Sequence, residues 1–170
     1  AAKTQTGTTT SQGGGDVTAP NVYTLITEVA DITTGQYVIA AKVGNVYYAM
    51  GNTFSSKIDG VSVTVTDDTI SESDAEGYVV TITKNGASYY ISSGSKYLKY
   101  VSSTNLGSQT TTYSWTITSG NNGTFRAVSE TAGRGLVYRK GTYNKFGGYA
   151  TSNATSGSSE YFDIELFKLN

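Results

Sequence analysis

The amino-acid sequence predicts an all-β fold assembled from three similar segments. Composition is the first reason. Thr, Ser, Gly, Val and Tyr dominate while leucine and methionine are scarce, a mix that favours pleated strands joined by tight turns. Periodicity is the second, since no window places apolar residues at helical spacing for two turns or more. The third is recurrence, with one arrangement of strands returning three times along the chain.

Residues 1–19, AAKTQTGTTTSQGGGDVTA, carry one valine as their sole sizeable apolar residue. Such a segment buries too little surface to offset its ordering entropy, so it reads as a flexible linker to an upstream module. Residues 20–170 then form a single domain, and the strand-like EYFDIELFKLN reads as its natural end. The segments span about 24–86, 87–123 and 124–170. Each opens with a strand pair: QYVIAAKVGNVYYAM at 36–50, SYYISSGSKYLKY at 88–100 and TFRAVSETAGRGLVY at 124–138. Their apolar anchors run from Ile39 to Tyr48, Ile91 to Leu98 and Val128 to Leu136, seven to nine residues apart. A polar stretch follows, then a closing strand with alternating apolar residues. These are Tyr78-Val80-Ile82, Tyr113-Trp115-Ile117 and Phe162-Ile164-Leu166.

One such unit cannot bury its own apolar face, so three units must share a core. The pattern predicts a β-trefoil-like fold with three pseudo-repeats, in which Ile82, Ile117 and Leu166 lie in one apolar layer. The alternative is an antiparallel β-sandwich, because alternation is generic to hairpins. Trp115, between Tyr113 and Ile117, is expected in the core.

The chain has no cysteine and no histidine. That removes disulfides, thiolate nucleophiles, zinc-thiolate sites, Ser-His-Asp and Cys-His arrangements, and the usual base near neutral pH. Carboxylates, lysines and tyrosines remain, but nothing in the sequence brings two carboxylates to either side of a scissile bond. The expectation is a non-catalytic protein with no cofactor and no metal. A net charge of −1 gives no pull on nucleic acid, and no apolar run is long enough to insert into a membrane.

The densest functional signal is YRKGTYNKFGGY, residues 138–149. Arg139, Lys140 and Lys145, with Arg134 just upstream, make four of the chain's twelve cations and interleave with Tyr138, Tyr143, Phe146 and Tyr149. Tyr138 ends an alternating run with Leu136 and is expected to face inward. Tyr143 and Tyr149 flank glycines and are expected to be exposed with Asn144 and Lys145. An exposed tyrosine offers a flat apolar face to a pyranose ring, while Asn144, Lys145 or Arg139 binds its hydroxyls. Parallel candidates in the other segments are Tyr47, Tyr97 and Tyr100. In VYYAM, Tyr48 and Met50 should face one way, Tyr47 and Ala49 the other. The acidic run DDTISESDAEG, residues 67–77, lacks the alternation and central glycine of a calcium loop and reads as a charged hairpin tip.

The stretches GQYVIAA, GSKYLKYVSS followed by YSWTI, and the terminal FDIELFKL resemble accessory β-domains of secreted Bacteroidetes proteins. They are also similar to ricin-type β-trefoil carbohydrate-binding modules, whose lobes close on a Q-x-W strand. Here YSW stands at that place, with Tyr113 instead of glutamine. Val80 and Ile164 occupy the tryptophan position of the other lobes, and the cysteine pairs of plant lectins are missing. The resemblance implies a secreted or cell-surface bacterial module, covalently linked to a larger enzyme or surface protein, that binds a polysaccharide or glycan at up to one site per lobe. Two other functions use the same residues: a protein–protein or adhesion module, and a binder of acidic polymers through the cations of the third repeat.

Overall fold

The computed structural model describes residues 21–170, so the expected linker over 1–19 lies outside the described residues. The fold is all-β, as composition and periodicity predict. The first segment contains β1 (Val22–Ile26), β2 (Gly35–Val43), β3 (Val46–Met50), β4 (Ile58–Val63), β5 (Thr69–Ser71), α1 (Glu72–Ala75) and β6 (Val79–Asn85). The second contains β7 (Ser88–Ser93), β8 (Lys96–Ser102), β9 (Asn105–Gln109) and β10 (Trp115–Ser119). The third contains β11 (Phe125–Ser129), β12 (Gly135–Arg139), β13 (Lys145–Tyr149), β14 (Tyr161–Phe162) and β15 (Glu165–Leu169). Hydrogen bonds join all fifteen strands into one sheet.

The sequence sets the turns as well as the strands. Gly44 leads the two-residue link of β2 to β3, and Gly86 that of β6 to β7, both with positive φ. A left-handed residue there matches the twist of the paired strands, and glycine adopts it without a steric penalty.

The antiparallel pairings trace a circuit. β2 pairs with β6, β6 with β7, β7 with β10 and β10 with β11. β11 reaches Ile164 through a bridge at Phe125, and β15 returns to β2. Each segment gives the circuit an opening and a closing strand, and each adds a hairpin: β3–β4, β8–β9 and β12–β13. The closing residues sit opposite apolar partners, Ile82 on Ile91, Ile117 on Ala127 and Leu166 on Ile39. All three are buried in one cluster with Trp115, Tyr138 and Phe146.

A second apolar layer was not anticipated. β1 pairs with both β15 and β5, and the short helix α1 follows β5. Together they cover the outer face of the first segment, where Tyr23, Val38, Ala40, Tyr47, Ile70, Ala75 and Phe167 form a separate buried cluster. β2 is therefore apolar on both sides, with Tyr37, Ile39 and Ala41 facing the main core. The acidic run is a hairpin tip only at its start: Asp67 and Asp68, both with positive φ, turn the chain between Thr66 and Thr69, whose backbones pair, and the rest of the run forms β5 and a helical turn. The Ser71 hydroxyl accepts a hydrogen bond from the Asp74 amide at 3.1 Å, and Glu72 and Asp74 lie in the first turn, where negative charge is favourable.

Candidate functional site

The third-segment patch lies at one end of the β12–β13 hairpin. Arg139 ends β12 and is paired in register with Lys145 of β13 and Tyr161 of β14. Its guanidinium stands 3.8 Å from the Tyr143 ring centroid and 5.3 Å from that of Tyr161. Arg139 Nε also donates to Glu160 Oε2 at 2.7 Å, and this bond first of all raises the guanidinium pKa further. The cation is thus oriented by two rings and one carboxylate. Tyr143 is 47% exposed, as expected for a ring in this loop.

Asn144 is exposed and holds a left-handed backbone, φ 47°. Its Oδ1 accepts from the Tyr138 hydroxyl at 3.3 Å, and its carbonyl accepts from the Gly60 amide at 3.0 Å. Lys145 is half-buried, with its ammonium on the Asp59 carboxylate across the β13–β4 pairing. Two cations of the patch therefore already have acidic partners.

Tyr138 faces inward as expected and is fully buried. Its ring stacks on Tyr48 at 5.5 Å and tilts against Phe146 at 4.9 Å. Burial, with Tyr48 adding to it, pushes the hydroxyl pKa up to about 12. Gly60 makes room for this ring, because a Cβ there would overlap Tyr138 Cε1 and lie 3.2 Å from Phe146 Cε1. Neither ring can move in a filled core. Gly60→Ala should lower the unfolding free energy by about 1–3 kcal/mol, read from denaturant midpoints.

Three expectations for the rings need correction. Tyr149 is only 4% exposed. It packs with Val137 and Ala154, edge-on to Tyr161 at 5.4 Å, because the chain after β13 folds back over the outer face of the hairpin. Tyr47 is buried as well, edge-on to Phe167 at 5.3 Å beneath the extra layer. The expected alternation of Tyr47 and Tyr48 is present, but both sides are covered. Tyr97 and Tyr100 are half-buried rather than a parallel platform. Tyr97 meets Tyr90 edge-on at 6.0 Å. The Tyr100 hydroxyl donates to the Ser103 carbonyl at 2.9 Å, and its ring lies over Gly148, where a Cβ would sit 2.7 Å from Cδ1. Tyr100 thus joins the second segment to the third, while the Tyr97–Tyr90 contact lies within the second.

Sequence reasoning missed a polar cleft of about 540 Å³ between the β2–β3 turn, the β10–β11 turn and the chain around 154–165. Tyr161 and Ser158 line its side next to the Arg139 patch. Two buried carboxylates also line it. Asp163 accepts from Arg126 Nε at 3.1 Å, yet burial outweighs that cation and raises its pKa. The Glu165 pKa is pushed up to about 7, by burial first, with Lys42 opposing and Asp68 adding. The signal was present in FDIEL, where Asp163 and Glu165 alternate with Ile164 and Leu166 and so face away from the core. Among the described residues no group of three or more carboxylates could hold a metal ion.

Compared with protein-family models, with curated proteins and with solved structures, the chain matches none.

Proposed function

We propose that this chain is a non-catalytic carbohydrate-binding module with a β-trefoil arrangement, and that its polysaccharide contact is the Arg139–Tyr143–Asn144 patch of the third segment. The closed circuit of six pairings, one hairpin per segment, and the burial of Ile82, Ile117 and Leu166 in one cluster support the trefoil over two facing sheets. Its place in a secreted or cell-surface bacterial protein, linked to an upstream module, rests on the resemblance described above.

One observation carries the functional reading: Tyr143 remains 47% exposed while Arg139, fixed by Glu160 and Tyr161, lies against its ring. A ring held in place loses little freedom when a sugar stacks on it. Asn144 beside it supplies a carboxamide for sugar hydroxyls. The single ring, in place of one per segment, makes a shallow site of modest affinity. Pairing of Arg139 with Glu160 and Lys145 with Asp59 leaves only Arg134 and Lys140 of the four patch cations without an acidic partner among the described residues, which weakens the case for an acidic-polymer binder.

Tyr143→Ala should weaken binding to a retained polysaccharide about tenfold, by analogy with stacked bases and interface anchors. Its thermal midpoint should match the parent, because the ring lies outside the core. Unchanged retention in affinity electrophoresis would remove this patch from the site.

A further inference from the structure

The cleft beside β15 is distinct from the Tyr143 patch and contains an unusual group. Leu166 points into the main cluster, so Glu165 projects to the opposite face with Phe167. Glu165 is 7% exposed, and among the described residues its carboxylate has no hydrogen bond and no ion pair. The other buried carboxylate of the cleft, Asp163, has Arg126. Burying an acceptor without a donor is unfavourable, so a donor brought by a ligand gains more here than at the surface.

The groups around Glu165 select that donor. Lys42 comes from β2, Tyr47 from β3 and Asp68 from the β4–β5 connection. The Lys42 ammonium lies 5.3 Å from the Tyr47 ring centroid and forms no ion pair with Glu165. With Asp163 paired to Arg126, Asp68 and Glu165 still outnumber Lys42 along the lining. This balance favours a cation. The remaining lining is rich in amides and hydroxyls, among them Asn121, Asn122 and Ser156, which suit a polyhydroxyl ligand. The volume of about 540 Å³ falls within the roughly 300–1,000 Å³ of small-molecule sites.

We infer that this cleft is a second binding site, one for an unacetylated amino sugar whose ammonium group reaches Glu165 while its hydroxyls meet the amide and hydroxyl lining. A neutral sugar would leave the carboxylate with weaker, uncharged donors. N-acetylation would remove the charge that the site selects. The assignment does not rest on the Tyr143 reading, and loss or survival of polysaccharide binding in Tyr143→Ala leaves it unaffected.

Calorimetric titration of the full chain at pH 7 with the trimer of glucosamine and the trimer of glucose tests it. The glucosamine trimer should bind about tenfold tighter or more, as charge-assisted hydrogen bonds exceed neutral ones. Glu165→Gln should reduce the preference to about twofold or less, since the amide keeps the shape and loses the charge. Tyr143→Ala should retain the preference. Ser156→Trp, which fills the cleft from an exposed loop, should abolish glucosamine binding and supplies the test if Glu165→Gln does not fold. Equal affinities for the two trimers, binding of neither, a preference that persists in Glu165→Gln, or undiminished binding to Ser156→Trp would overturn the assignment.

Discussion

Trp115→Ala should destabilise the domain by about 3–5 kcal/mol, the range for removing a large buried aromatic. Trp115 is fully buried at the start of β10, and its strand joins β7 to β11 in the circuit of pairings. The indole meets Tyr113 edge-on at 5.8 Å, and its Nε1 donates to the Leu98 carbonyl at 3.0 Å. Alanine would leave a cavity and would also strip that buried carbonyl of its donor. The two effects separate by variant. Trp115→Phe fills most of the volume and should lose only about 1–3 kcal/mol, chiefly for the orphaned carbonyl. Chemical denaturation measures both, and a loss below about 1 kcal/mol for alanine would mean that the indole does not hold β10 in the core.

Stability should fall as pH rises from 5 to 8, and Glu165 should account for most of the fall. The folded-state pKa of Glu165 is raised from 4.5 to about 7. Protonation is therefore easier in the folded chain than in the unfolded one. The stabilisation is fully present below about pH 4.5 and is lost as pH climbs through 7. A rise of that size corresponds to roughly 3 kcal/mol over the whole window. Glu165→Gln should flatten the decline and stand above the parent at pH 8. Asp163 has a raised pKa of the same sign, so a weaker slope should persist in that variant at lower pH. Thermal midpoints measured across pH test this. A parent whose midpoint rises from pH 5 to 8, or a variant with the parent's slope, would contradict the burial of Glu165.

Alternation carried the sequence reading furthest. It placed Tyr138, Trp115 and the closing residues Ile82, Ile117 and Leu166 inside, while the glycines around Tyr143 and Asn144 marked those two as outside. Strand parity states which residues share a face. It does not state what a distant part of the chain lays over that face. Tyr47 was judged on parity alone and is buried because β1, β5 and α1 cover it. Tyr149, expected outside because it flanks glycines, is likewise covered, under Ala154 and Tyr161. The helix α1 is too short for any periodic signal, and only the Ser71-to-Asp74 spacing announced it. The cleft was the least legible feature, since it is made by turns that meet only in three dimensions. FDIEL showed two carboxylates facing outward, but not that the surroundings would bury them.

The central claim, that the exposed face of the third segment binds neutral glycans, is tested most directly by a glycan array probed with the full chain at low and high salt. Stacking on Tyr143 predicts a signal on one class of neutral polysaccharide that changes little between the two salt conditions, because it does not depend on free cations. A signal confined to acidic polymers and lost at high salt, or no glycan signal at either salt, would contradict it.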